Sequence, residues 1–482
     1  MKNRGYKVLL LGAILLPGCT LYQKPIVPSA NPPEAFELSL EAENFRNLNN
    51  TWWRNFNVPQ LNEVVDKALA NNYSYQATLK NIDIAQTYVL QNMTLLFPQL
   101  GLDYSYSRDK SIINVGNSVS AAPQLSGASN IIDLQLLTAT VNYEIDAWNQ
   151  VHNSVEQAKA DKETAIGNTN VFRLTLVSSV VNTYFQIASL NETIDNFKKQ
   201  YQDAVEIVEL NEILYQSGLV DDSSVLTAKN QAETILINLK TAEKQLQVYV
   251  FTLAYLCGEY PEQFDFSINS RLSDIHFDKL VPGAVPAQML GTRPDVKAAF
   301  SSVLSFGFIE KQNIANFLPS LSLSGTYGYA NNRISHLIKH SNALWNYGFN
   351  MVQLIVDYPQ LYAAWKRSEI QYKQAIDTYH NTVINAFAEV DGSIASYKDD
   401  ILVLDASKRQ LDNSRELVEI ASAQYTAGLT DYITYLTNDL SMLQTDYNLT
   451  LKELLLTQDV VMLYKALGLG IMEESDEDAR NS

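Results

Sequence analysis

The sequence predicts a mainly α-helical chain built twice over from long coiled-coil hairpins, with four membrane-type β-strands inserted between them. Three observations predict it. The stretch YQSGLVDDSSVLT, residues 215–227, has a near-copy in YTAGLTDYITYLT, residues 425–437. Apolar residues recur at alternating steps of three and four over stretches far too long for a globular helix. Between these stretches lie short runs in which apolar and polar residues strictly alternate, the period of a two-faced strand.

The chain of 482 residues is 46% hydrophobic and 18% charged, enough apolar content for a sizeable core. Its net charge of −18 argues against a nucleic-acid partner and fits an acidic surface or water-filled interior. Lys2, Arg4 and Lys7 precede a short apolar run, Val8 to Leu16. That run is too short for a spanning helix and has the form of a signal peptide, residues 1–18. Leu16-Pro17-Gly18-Cys19 resembles a bacterial lipoprotein box, which makes Cys19 the expected site of lipid (palmitate) attachment, with Thr20 after it favouring the outer membrane. Cys257 is the one other cysteine; it ends an apolar run and reads as a buried thiol.

Residues 19–59 read as a lipid-anchored arm, rich in proline, with a short helix near Trp52 and Trp53. The first repeat covers residues 60–258. A helix runs from about Gln60 to Leu96, then strands at about 97–107 and 133–147 flank a Ser/Asn/Gly-rich loop over 108–130. Leu100, Leu102, Tyr104 and Tyr106 share one face of the first strand; Leu137, Ala139, Val141, Tyr143 and Ile145 share one face of the second. A helix from about Val151 to Gln216 follows, roughly 100 Å long at 1.5 Å per residue. After a tip near residues 218–224 the seam resumes as Val225, Ala228, Ala232, Ile235, Leu239, Ala242, Leu246, Tyr249, Leu253 and Leu256.

Residues 259–292 read as a connector with little regular structure. The second repeat, residues 293–469, then restates the plan: a helix from about Pro294 to Asn316, strands at about 318–329 and 343–357, a helix from about Gln360 to Thr426, a tip near 428–434, and a last helix to about Leu467. Pro98, Leu100, Leu102 and Tyr106 match Pro319, Leu321, Leu323 and Tyr327 at an offset of 221. Tyr215, Gly218, Leu219, Asp221, Leu226 and Thr227 match Tyr425, Gly428, Leu429, Asp431, Leu436 and Thr437 at an offset of 210, as do Glu243 and Glu453. Matched glycines at both ends of the register mark an internal duplication. Residues 470–482 form an acidic tail.

Four strands cannot close a barrel, yet backbone polar groups in lipid must all be paired. Several chains must therefore share one barrel; three give twelve strands. The alternative, a soluble periplasmic sheet, is weakened by the aromatic apolar faces.

The lipobox, the Tyr-x-x-Gly-Leu turns, Gly-Thr-Arg-Pro-Asp at 291–295 and Phe-Leu-Pro-Ser-Leu-Ser-Leu at 317–323 resemble the outer membrane factors (TolC-like proteins, lipoprotein branch) of bacterial tripartite efflux and type I secretion systems. The resemblance implies a homotrimer whose twelve-stranded barrel crosses the outer membrane and continues as a periplasmic α-barrel. It implies a periplasmic adaptor protein and an inner-membrane pump as partners, no nucleic acid, no cofactor and no enzymatic role. The expected duty is the exit duct of a tripartite efflux pump, exporting small molecules; a type I protein secretion channel is the alternative, and a lipid-anchored coiled-coil adaptor a weaker one. By the same resemblance, Gly218, Leu219, Val220, Gly428, Leu429 and Thr430 are the adaptor-contact tips. Asp221, Asp222, Ser224, Asp431 and Thr434 are candidates for a periplasmic gate; Ser224 and Thr434 stand where many relatives carry aspartate. Arg293-Pro294-Asp295 reads as structural. His336 and His340 form the one close histidine pair, in an expected loop without a carboxylate between them, and make a poor metal site.

Overall fold

A computed structural model describes residues 24–30, 50–112, 129–265, 268, 271–272, 275, 291–354 and 357–472. The signal peptide, Cys19, residues 31–49 of the arm, residues 113–128 of the expected loop, most of the connector and residues 473–482 of the acidic tail lie outside the described residues. The described elements are α1 (Pro59–Asn71), α2 (Tyr73–Thr94), β1 (Gln99–Ile112), β2 (Ser129–Glu144), α3 (Gln150–Gln216), α4 (Asp222–Leu256), α5 (Pro294–Ala315), β3 (Ser320–Asn331), β4 (Ala343–Val352), α6 (Tyr358–Thr426) and α7 (Tyr432–Ala466). A short 3-10 helix at Trp52–Phe56 precedes them. The chain divides into two compact units: one of residues 1–28, 83–162 and 300–377, and one of residues 29–82, 163–299 and 378–482.

The first unit holds one four-stranded antiparallel sheet in the order β1-β2-β3-β4. Its register decides how the alternating runs combine. Leu100 faces Val141, Leu102 faces Ala139 and Tyr104 faces Leu137. Ala139 faces Tyr327, which faces Trp345, while Leu323 faces Phe349 and Leu321 faces Met351. Because paired residues point to the same side of a pleated sheet, the apolar sets of all four strands fall on one face. The other face carries Asp103, Ser105, Thr138, Thr140, Asn142, Ser322, Ser324, Thr326, Asn346 and Asn350.

The sheet differs from expectation at its ends. β1 reaches Ile112 and β2 starts at Ser129, so the loop is shorter than 108–130. β2 ends at Glu144, and Asp146 just beyond it serves the next helix instead. Its two carboxylate oxygens accept the backbone N–H groups of Val151 and His152 at 3.0 and 2.9 Å, satisfying the first turn of α3. β4 ends at Val352, short of 357. The strands nevertheless run 14, 16, 12 and 10 residues, enough for the ~9–11 that a tilted spanning strand needs.

In the second unit the expected helix 60–96 is broken. Asn72 is extended, and its side-chain Oδ1 accepts the N–H of Tyr75 at 2.9 Å, so α1 ends and α2 begins there. The seam residues from Val225 to Ala242, with Leu253, are buried. Leu239 and Ala242 of α4 pack on Leu190, Ile194 and Phe197 of α3, and Tyr447 of α7 joins them. The core is anchored by Trp52, fully buried and stacked on Tyr464 with ring centroids 5.0 Å apart. The Trp52 indole N–H donates to the Leu469 carbonyl at 3.1 Å, which gives the buried ring its polar partner.

Arg293 is structural, as expected. It is 5% exposed, grips Asp295 with two nitrogens (3.0 and 2.7 Å) and Glu389 at 2.7 Å, and donates to the carbonyl of Ala466, the last residue of α7. Cys257 is fully buried, and burial pushes its thiol up to about 12.

Candidate functional site

Two features of the described residues have no internal partner to explain them: the apolar face of the sheet and the two Gly-Leu turns. On the sheet, Leu100, Leu102, Trp345, Tyr347, Phe349 and Met351 are each more than 60% exposed, and Trp345 stacks on Tyr347 at 5.9 Å. Toward one end of this face the side chains turn polar. There the Tyr106 hydroxyl donates to Asp133 at 2.9 Å and Arg108 lies 3.6 Å from the same carboxylate. β1 and β4 are each paired on one side alone among the described residues. Also among the described residues, no helix is long and apolar enough to cross a membrane.

The turns are built by one device. Gly218 (φ 69°) and Gly428 (φ 70°) adopt the left-handed conformation. In the first, the Gly218 N–H reaches the Tyr215 carbonyl and the Leu219 N–H the Leu214 carbonyl, both at 2.9 Å. In the second, Gly428 and Leu429 make the same bonds to Tyr425 and Gln424, both at 2.9 Å. This pattern satisfies the carbonyls left over at a helix end and needs a residue without Cβ at the glycine. The following leucine usually packs back on its own helix. Here it does not: Leu219 is 71% exposed and Leu429 79% exposed. Val220 and Thr430 are half-buried beside them.

Four of the five gate candidates pair off within their turns. Asp221 caps α4: its Oδ1 accepts the Ser224 N–H at 3.1 Å and the hydroxyls of Ser223 and Ser224 at 2.8 and 3.0 Å, which hold its carboxyl below the usual range. Asp431 caps α7, accepting the Thr434 N–H at 2.6 Å. Asp222 stands exposed in the first turn of α4. Sequence reasoning missed an aromatic cluster at the second turn, where Tyr432 lies 5.0 Å from Tyr425 and 5.6 Å from Tyr435 between ring centroids. The signal was there: Tyr432 stands opposite Asp222 in the repeat, a place where the two turns differ sharply in bulk. Among the described residues, no group of three or more His, Cys, Asp or Glu could hold a metal ion; His336 and His340 sit in separate short 3-10 turns.

A sheet with a continuous apolar, aromatic face and, among the described residues, two unpaired edges, joined in one chain to coiled-coil hairpins, has the make-up of a protein that inserts strands into a membrane. Kinship with known proteins makes the class specific. The family model for outer membrane efflux proteins matches residues 64–259 and 285–469, and the chain belongs to that family. It is an outer-membrane protein and the exit duct of an efflux system. It is 23% identical, over 100% of its length and 99% of the relative's, to the pyoverdine export outer membrane protein OpmQ of Pseudomonas aeruginosa. It is 25% identical to the cation efflux system protein CusC of Escherichia coli, over 95% and 98% of the two chains. Among solved structures, the CmeC outer membrane channel of Campylobacter jejuni superposes with a TM-score of 0.81 at 23% identity, covering 95% of this chain and 98% of that one. The open-state MtrE channel of Neisseria gonorrhoeae gives 0.80 at 20% identity, over 93% and 97%.

Proposed function

We propose that three copies assemble through their strands into a twelve-stranded barrel, with the helical hairpins forming a periplasmic duct. The observation that carries this reading is the sheet: four strands whose apolar face needs lipid and whose two edges need partners. Lipid forbids unpaired strand edges, and β1 of one copy against β4 of the next removes both. Cys19 is the proposed lipid attachment point, so that acyl chain and barrel enter the same membrane. The exposed Leu219 and Leu429, flanked by Gly218, Val220, Gly428 and Thr430, are the proposed contacts for the helical hairpin of a periplasmic adaptor, which links the duct to an inner-membrane pump that exports small molecules. A rigid turn that presents an apolar side chain to water, twice, is what supports that role. Asp221, Asp222, Ser224, Asp431 and Thr434 are proposed to ring the periplasmic entrance, Asp222 with the carboxylate least committed to its own turn.

The test is assembly and conductance. The purified protein in detergent is expected to run as a heat-sensitive trimer, to come from the outer-membrane fraction, and to conduct ions in planar bilayers. A folded monomer that stays in water without detergent once the acyl group is absent would overturn the proposal. The double variant L219D/L429D is expected to conduct normally and to lose adaptor binding; unchanged adaptor binding removes the tips from the assignment.

A further inference from the structure

Helix α7 carries Asp439, Asp446 and Glu453 at intervals of seven residues, a spacing that places them on one face. Each meets another helix. Asp439 meets Asp203 of α3 carboxyl to carboxyl. Asp446 accepts Asn196 of α3 at 3.0 Å and lies 3.9 Å from Arg415 of α6. Glu453 faces Glu192 of α3 and Lys408 of α6, and is 6% exposed. Further along, Asp459 meets Asp400 of α6, again carboxyl to carboxyl.

Acids belong on solvated faces of a coiled coil, not on its seam, unless they are neutral or paired. The duplication shows that three of these acids, Asp439, Asp446 and Asp459, are not inherited from the common plan, while Glu453 keeps the acid of its repeat partner Glu243. At the equivalent positions 210 residues earlier stand Lys229, Leu236, Glu243 and, opposite Asp459, Tyr249. Lys229 is paired with Glu212 at 2.7 Å, and Glu243 with Lys240 at 2.9 Å with its side chain 38% exposed. The buried equivalent, Glu453, is faced instead by a cation from another helix, Lys408 of α6. Two oxygens mark the consequence. Asp203 Oδ2 and Asp459 Oδ2 are shielded from solvent and have no hydrogen-bond donor. A proton shared with Asp439, or with Asp400, supplies the donor each lacks.

We propose that α7 is a proton-operated latch: Glu453 and the carboxyl pairs Asp439–Asp203 and Asp459–Asp400 hold it against α3 and α6 while they keep a proton, and the seam loosens as they ionise. This goes beyond the duct role and does not depend on which partner docks at the tips. The groups facing each acid support the direction. Around Asp203 they are Asp439 and Glu206, with the hydroxyls of Tyr432 and Tyr435 close to Glu206. Around Glu453 they are Glu192, Asp446 and one opposing cation, Lys408. Burial first and these like charges second push Asp203, Glu453 and Asp459 each up to about 7. For an acid raised in the packed state, the sign is fixed. Packing is tightest below the group's ordinary range, weakens as pH climbs toward about 7, and changes no further above it. Acidification closes the latch.

Hydrogen exchange of α7 peptides in the full-length protein in detergent, corrected for the intrinsic pH dependence of exchange, reads the seam directly. The opening constant of residues 432–466 is expected to rise from pH 5 to pH 7 by about tenfold or more per unit, and to level off by pH 8. The variant D203N/E453Q/D459N is expected to flatten that profile, and E243Q, at the solvated equivalent, to leave it unchanged. E453M serves as a second way to remove the buried charge without asking an amide for new partners. A flat wild-type profile overturns the proposal whatever the variants do, as does a variant that folds and keeps the wild-type slope.

Discussion

Four helix ends in this chain share one glycine conformation, and their surroundings predict different costs for the same substitution. Gly218, Gly258, Gly428 and Gly468 have φ of 69°, 73°, 70° and 71°. Replacing any of them by alanine puts a Cβ into the left-handed region, at about 1–2 kcal/mol. At Gly218 and Gly428 that is the whole cost, since a Cβ there meets nothing within 4 Å. At Gly258 the Cβ would lie 2.3 Å from the Asn71 carbonyl oxygen, a backbone atom at the end of α1. At Gly468 it would lie 2.8 Å from Cγ of Arg293, a side chain fixed by Asp295, Glu389 and Ala466. Forcing a methyl into such a site adds roughly 1–3 kcal/mol. The expected order of destabilisation is therefore G258A first, then G468A, with G218A and G428A mildest and equal. Thermal unfolding of the detergent-solubilised protein, followed by far-ultraviolet circular dichroism, measures it. If G218A costs as much as G258A, the Gly218 turn is packed against something, and the open tip on which the adaptor reading rests does not exist.

Four further outcomes are expected. Tyr347→Lys places a charge on the apolar face of β4 and should cost about 2–4 kcal/mol of membrane insertion if it lies near the bilayer centre, whereas Asn346→Lys, on the opposite face, should leave outer-membrane yield unchanged. Arg293→Met strands Asp295 and the Ala466 carbonyl; because Glu389 is nearly half exposed and can rehydrate, the loss should be about 2–3 kcal/mol, below the ~3–5 of a fully buried pair, with Arg293→Lys recovering part of it in the same melt. Cys257, buried and with its thiol pushed up to about 12, should resist thiol reagents at pH 8 until denaturant is added; labelling of the native protein would contradict its burial. Asp431→Ala removes the cap of α7 and should cost about 1 kcal/mol, and Asp431→Asn markedly less, by the same unfolding measurement.

Much of this architecture is legible because it repeats. The three-four seam from Val225 to Leu253 and the alternation from Leu100 to Tyr106 are long, single-period signals, and the helices and strands lie where those periods place them. The ends are harder, since they are decided by side chains that serve the backbone rather than the pattern. Asp146 looks like one more polar residue of β2 until its carboxylate is seen holding the first turn of α3. Asn72 splits a continuous helical run by capping Tyr75. At the tips, the sequence locates Gly218 and Gly428, but not the exposure of Leu219 and Leu429, which depends on what fails to pack on them. Asp221 and Asp431 are gate candidates by the family resemblance alone; an oxygen of each is already engaged by Ser224 and Thr434, so any role at an entrance is shared with capping.

The duplication itself supplies the last step. Where two copies of one plan keep the same residue in the same conformation, as at the four glycines, the requirement is geometric and both hairpins share it. Where they differ, the plan cannot be the cause. Tyr432 against Asp222, and Asp439, Asp446 and Asp459 against Lys229, Leu236 and Tyr249, are such differences. Asp203 and Glu192 show that α3 answers them with further acids rather than with lysine or arginine. The buried Glu453 and the contacts of Asp439 with Asp203 and of Asp459 with Asp400 are thus where the second hairpin carries what the first does not, and where the proposed latch rests.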